Sequence, residues 1–137
     1  MAEQLSVIRI LAALPLLVLA ASCATMPPGR DDSADLAKEL VGKVAEKSRS
    51  CIALDDARSA KIFDDAILYR TSRRLSYVND AKGCRTFDSD PIFVNEVRGG
   101  SQLCRGDVVR TVSRSGGIPG PFCVLGDFTP YRTPKTK

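Results

Sequence analysis

Histidine and tryptophan are both missing from this 137-residue chain. Without histidine no Ser-His-Asp or Cys-His set can form, and the commonest general base and metal ligand are gone. No Ser-x-x-Lys motif stands in for them, and no Cys-x-x-Cys offers a dithiol redox centre. No run of lysine and arginine resembles a nucleic-acid arm, so nucleic acid is not an expected partner. The glycine-rich stretch Gly116-Gly117-Ile118-Pro119-Gly120 lacks the spacing of a phosphate loop, and its prolines oppose a following helix. The uncharged run from Ile10 to Ser22 falls short of the roughly 20 apolar residues that a membrane span requires.

That run is nevertheless the clearest signal present. A secretory signal joins a basic start, an apolar core of roughly 7–15 residues and small residues at the cut. Here the start carries Glu3 and Arg9, Ile10 to Ala21 supplies the apolar core, and Ala20, Ala21 and Ser22 are small. The next residue is Cys23. The arrangement resembles the lipobox of bacterial lipoproteins, with Ala20 where leucine is commoner. The resemblance implies removal of residues 1–22, a diacylglycerol on the Cys23 sulfur and acylation of the new amino terminus. Two or more acyl chains hold a protein stably at a bilayer. In the enteric sorting rule aspartate after the cysteine retains a lipoprotein in the inner membrane. Ala24 stands there instead, which implies the inner face of the outer membrane. A signal cut without lipidation is the competing reading.

The mature chain would hold 115 residues, enough for one small domain. Glu3 and Arg9 cancel, so its net charge stays at +4, a mild attraction to anionic envelope polymers. With Cys23 given to lipid, Cys51, Cys84, Cys104 and Cys123 remain. An even set in an exported chain reads as two disulfides. Gaps of 33, 20 and 19 positions do not suit zinc, whose ligands come in close pairs. No metal or cofactor is therefore expected. Three pairings are open. The nested one, Cys84 with Cys104 and Cys51 with Cys123, is the expectation, since it would tie the domain's two ends together.

Residues 23–33 read as a polar tether, 34–131 as one disulfide-stabilised domain and 132–137 as a loose tail. Leu36, Leu40 and Val44, with Ala37, Val41 and Ala45, form an apolar helical stripe suited to covering a sheet, although Gly42 weakens it. Strands are expected near Cys51–Leu54, Ala60–Phe63, Ala66–Arg70, Leu75–Asn79, Ile92–Val97 and Asp107–Ser113. Asp64-Asp65 and Thr71 to Arg74 fit turns, Asp55–Asp65 could also form a helical turn, and Gly116 to Pro121 reads as a rigid loop. The fold class is α+β and mainly β. One amino-terminal helix should pack on a small antiparallel sheet or partly closed barrel, held by two disulfides.

Candidate sites are few. Arg70, Arg73 and Arg74 cluster at one hairpin end and could grip phosphate or carboxylate. Asp55, Asp56, Asp64, Asp65, Asp88, Asp90 and Asp107 could supply an acid–base pair for glycan hydrolysis, but aspartates between strands mostly form turns. Arg105-Gly106-Asp107 reads as a tight turn before a strand rather than an adhesion tripeptide.

The order Cys51-Ile52, Ile62-x-Asp64-Asp65-x-Ile67-Leu68-Tyr69, Tyr77-x-Asn79, Cys84, Leu103-Cys104-x-Gly106-Asp107 and Cys123-x-Leu125-Gly126-x-Phe128-x-Pro130-Tyr131 is similar to a family of small proteobacterial envelope proteins. That family is known only as a domain of unknown function. The likeness runs from Cys51 to Tyr131, with Ser72-Arg73 where the family has Gly-Gly in its second turn. It implies a mainly β domain with paired cysteines and carries no activity. The expectation is a lipid-anchored periplasmic binding or structural module. Its partner would be an envelope protein, peptidoglycan or lipopolysaccharide. A small wall hydrolase using aspartates, or an inhibitor acting through Gly116–Phe122, are the alternatives.

Overall fold

The computed structural model describes residues 32–63, 65–82, 84, 91–97 and 100–135. Cys23, the tether up to Asp31, and Asp64, Arg85, Asp88, Asp90 and Arg98 lie outside them, as do Thr136 and Lys137. Helix α1 covers Asp32–Glu39 and opens with Asp32 and Asp35, which complement the positive end of its dipole. It is shorter than the apolar stripe suggests. Gly42 takes a positive φ of 74°, a conformation that closes helices and suits glycine, and the chain leaves as strand β1, Val44–Ala45. Val44 and Ala45 therefore belong to a sheet, and the stripe ends one turn early.

The remaining strands are β2 (Cys51–Ala53), β3 (Ala60–Phe63), β4 (Ala66–Arg70), β5 (Leu75–Asp80) and β6 (Ile92–Glu96). They continue with β7 (Gln102–Cys104), β8 (Val108–Val112), β9 (Pro119–Val124) and β10 (Phe128–Arg132). A 3-10 turn, Leu54–Ala57, follows β2, as the Asp55–Asp65 ambiguity allowed. All pairings are antiparallel and build three sheets, β1-β10-β5-β4-β3, β2-β7 and β6-β8-β9, none of which closes into a barrel. The mainly β class with one helix is as the sequence suggests.

Alternation along β4 explains the layering. Ile67 and Tyr69 point to one side, with Tyr77 and Phe128 from the neighbouring strands. They meet Ile52, Leu103, Val109 and Cys123 from the other two sheets, so the core lies between the three. Leu68 and Ser76 point to the other side and are fully covered. Helix α1 packs on that back face. Its Glu39 carboxylate accepts hydrogen bonds from Lys61 (3.3 Å) and Arg70 (2.5 Å), and just beyond it Lys43 donates to the Ser76 hydroxyl (2.6 Å).

The disulfides join Cys51 to Cys104 and Cys84 to Cys123. This corrects the nested expectation. Strand pairing decides it: Cys51 on β2 lies directly across from Cys104 on β7, and Cys123 on β9 faces the core where Cys84 is buried. The loops overlap, spanning 53 and 39 positions, and each closure is worth about 4 kcal/mol in the chain-entropy picture. Two further expectations change. Pro119 to Pro121 belong to β9 and not to a loop, and Arg132 closes β10. The start of the supposed tail is held by a hydrogen bond from the Thr133 amide to the Arg74 carbonyl (2.9 Å).

Candidate functional site

The outward face of the β6-β8-β9 sheet is the largest departure from ordinary burial. In β6 the inward residues are Phe93 and Asn95, which leaves Ile92 and Val94 facing out, 41% and 42% exposed. Register brings Ile92 across from Val112, Val94 across from Arg110, and Arg110 across from Phe122. Val108 pairs with Val124, and Phe122 and Val124 are 61% and 52% exposed. Side chains on one pleat face thus form a continuous apolar surface across three strands.

One ion pair sits within it. Arg110 pairs with Glu96 on β6, and its guanidinium carbon lies 5.4 Å from the centroid of the Phe122 ring. Both contacts hold the cation flat on the sheet, where its face and stem extend the surface that Phe122 begins. Beyond it the β8–β9 turn is closed by the Ser113 amide donating to the Ile118 carbonyl and the Gly117 amide to the Ser113 carbonyl, both 2.9 Å. Ile118 stands out at this tip, also exposed. Thr111 and Gly120 lie so close at the bulge after Arg110 that a Cβ on Gly120 would overlap the Thr111 hydroxyl.

The arginines singled out by sequence are placed at the β4–β5 turn. Arg70 is engaged by Glu39, with further support from Lys61 on the same carboxylate. Burial pushes the Glu39 carboxyl pKa up, but the hydrogen bonds and charges of Arg70 and Lys61 outweigh it and hold it below the usual value. Arg73 and Arg74 lie exposed in the turn itself. Ser72 builds that turn: its hydroxyl accepts from the Arg74 amide (3.3 Å) and the Leu75 amide (3.1 Å). Ser72 thus closes this end of the hairpin as a serine–backbone turn.

Among the described residues the carboxylates do not converge. Asp55 pairs with Arg58 at 2.5 Å, and Asp127 with Arg105 at 3.2 Å. Glu46 pairs with Arg132 at 2.9 Å. Asp107 is buried, but its Oδ2 accepts the Cys104 amide (2.8 Å) while its own amide donates to the Cys104 carbonyl (3.0 Å). With Gly106 at φ 90°, Arg105-Gly106-Asp107 is the tight turn expected, its acid turned inward. Among the described residues no group of three or more Asp, Glu, Cys or His residues could hold a metal ion, and no helix is long and apolar enough to cross a membrane.

No protein-family model, curated protein or solved structure matches this chain. The sequence predicts β6 as a strand without marking Ile92, Val94 or Val124 as a surface. The signal was present in Ile92-Phe93-Val94. Three consecutive apolar residues in a strand put apolar groups on both faces, and a domain this small buries only one of them.

Proposed function

We propose that the chain is a lipid-anchored periplasmic module that binds another envelope component and performs no chemistry of its own. The observation that carries the binding reading is the exposed apolar face of β6-β8-β9, centred on Phe122 and Val124. Contiguous apolar surface on a small domain costs solubility and marks interaction sites. It favours an envelope protein over peptidoglycan or lipopolysaccharide, because the face is mostly apolar and its cation, Arg110, is already paired with Glu96. The address rests on the lipobox-like run before Cys23, and Ala24 after it favours the inner face of the outer membrane. The even cysteine set of an oxidised domain supports export.

A photo-reactive residue introduced at Phe122 tests the binding reading in living cells. A discrete crosslinked species is expected, lost when Val124→Glu is added. Only a background smear, together with an unchanged envelope after gene deletion, would count against it. Intact mass of the membrane-purified protein tests the address. The expected species begins at Cys23, carries acyl chains and is four hydrogens lighter than the reduced form. A second reading has its own support: the exposed Ile118 tip and neighbouring Phe122 form an apolar hairpin end that an enzyme cleft could receive, as an inhibitor would present it. Loss of crosslinking on Ile118→Ser alone would favour that reading.

A further inference from the structure

The end of the large sheet where β4 turns into β5 gathers cations. Arg70 closes β4, Arg73 and Arg74 occupy the turn, and Arg132 lies across from Leu75 at the start of β5. Lys43 precedes β1, whose Val44 pairs with Arg132, and Lys135 follows the Thr133 amide that is bonded to the Arg74 carbonyl. Two of these six are balanced, Arg70 by Glu39 and Arg132 by Glu46. Asp55, at the same end, is balanced by Arg58. Asp56 is the remaining described carboxylate nearby, its carbonyl accepting from the Thr71 hydroxyl (3.3 Å). A cationic surplus therefore persists at this end. Arg73 and Arg74 are exposed, with no carboxylate in ion-pair range among the described residues. The Ser72 turn fixes their backbone, so little ordering is needed before they meet an anion.

We infer that this basic end rests on the anionic phospholipid headgroups of the bilayer that holds the anchor, with Arg73 and Arg74 making the phosphate contacts. The inference deepens the anchored reading and depends on it. Chain length permits the placement. Helix α1 is eight residues and so about 12 Å long, and its last residue, Glu39, touches Arg70. From Cys23 to Asp32 the chain can span about 30 Å at most, so the basic end cannot travel far from the membrane. A short reach beside an anionic surface is where basic side chains add to a lipid anchor. Layer order then gives the domain a direction. Helix α1 and the back face lie on one side of the large sheet, and the core and the β6-β8-β9 sheet on the other. The apolar face is thereby turned away from α1, toward a partner and not toward lipid.

The test uses the unlipidated chain beginning at Ala24, secreted behind an exchanged signal. Both disulfides and the whole core lie within the compact unit from Asp31 to Lys137, so this form keeps its fold. Its sedimentation with vesicles of phosphatidylcholine alone, or with one third phosphatidylglycerol, is measured at low and high salt. Binding is expected only to the phosphatidylglycerol vesicles, and to be lost at high salt. Each basic residue near such a surface contributes about fivefold, so Arg73→Glu with Arg74→Glu should weaken binding at least about 25-fold. The charge-matched pair Lys82→Glu with Arg114→Glu, placed elsewhere, should stay within about twofold. Equal losses in the two pairs would mean net charge alone, and binding that ignores phosphatidylglycerol would mean no headgroup contact. Competition by millimolar inorganic phosphate would point to a soluble ligand. Any of these three overturns the inference. Because no acyl chain is present, none of them bears on lipidation, which the intact mass decides separately.

Discussion

Tyr69→Phe should make this protein more stable. Tyr69 is fully buried on β4, with its ring 5.9 Å from that of Phe128 and tilted 47° to it. Its hydroxyl has no hydrogen-bond partner among the described residues. A buried polar group left unpaired costs about 1–3 kcal/mol, whereas phenylalanine keeps the ring packing and removes the penalty. A gain of about 1 kcal/mol is expected, read as a shift of about 4–8 °C in melting temperature for a domain of this size. Alkali provides an independent check. Burial drives the Tyr69 phenol pKa far above its ordinary value, so the folded state favours the neutral form. That contribution is intact below about pH 10, where the unfolded tyrosine titrates, and declines as pH climbs toward the folded value. The phenylalanine variant has no such group. Its advantage should therefore widen by about 1.4 kcal/mol for each pH unit above about 10. Urea denaturation of the oxidised proteins near neutrality and near pH 11 measures both effects. A variant destabilised by 1 kcal/mol or more near neutrality would show that the hydroxyl is paired, and a pH-independent difference would show that it is hydrated.

Three other changes probe the packing. Asn79 is fully buried, and its amide brackets the turn before β10, donating to the Gly126 carbonyl (2.8 Å) and accepting from the Gly126 amide (3.0 Å). Asn79→Ala should cost about 1–2 kcal/mol in urea titrations, because the Gly126 carbonyl loses its amide donor while the Gly126 amide keeps the Asp80 carbonyl (2.9 Å). Gly126→Ala should cost at least about 1–3 kcal/mol by the same measurement, since its Cβ would overlap the Asp80 carbonyl oxygen and backbone cannot swing aside. Graded reduction followed by alkylation and mass mapping should open Cys51–Cys104 before Cys84–Cys123, because the first pair is half-buried and the second is buried. Labelling of Cys84 first would contradict that burial.

Local patterns were legible where one residue's chemistry decides the outcome. The hairpin from Ala60 to Arg70 could be read because short apolar runs flank two aspartates, and β3 and β4 pair across them, with Phe63 opposite Ala66. The extent of α1 was not legible from periodicity. Val44 fits the stripe of Leu36 and Leu40, yet Gly42 and pairing with Arg132 draw it into the sheet. Long-range geometry was hidden altogether. The cysteine pairing depends on β2 lying against β7, a contact between segments 53 positions apart that no local pattern encodes. Strand β9 was missed because prolines usually argue against strands. They are tolerated here because β9 is an edge, paired among the described residues with β8 alone.

The site divides the same way. The cluster of Arg70, Arg73 and Arg74 was visible because three arginines within five positions must lie near one another in any fold. What it could not reveal was that Glu39 from the helix would take Arg70 and leave the other two exposed. The apolar face needed more, since Ile92, Val94, Phe122 and Val124 come from strands about thirty positions apart and meet only through β8. Its charge placement then argues for a directed partner over loose stickiness. A bare apolar sheet edged by β6 and β9 would invite strand-to-strand aggregation. Arg110, held by Glu96 and lying on Phe122, puts one oriented ion pair in the middle of the surface, and the prolines of β9 interrupt its edge. A partner must answer that pair with its own polar groups or leave it desolvated at a cost. Arg110→Leu should therefore strengthen non-specific self-association while weakening the Phe122 crosslink to the true partner. Stronger crosslinking in that variant would mean that the face selects by apolar area alone.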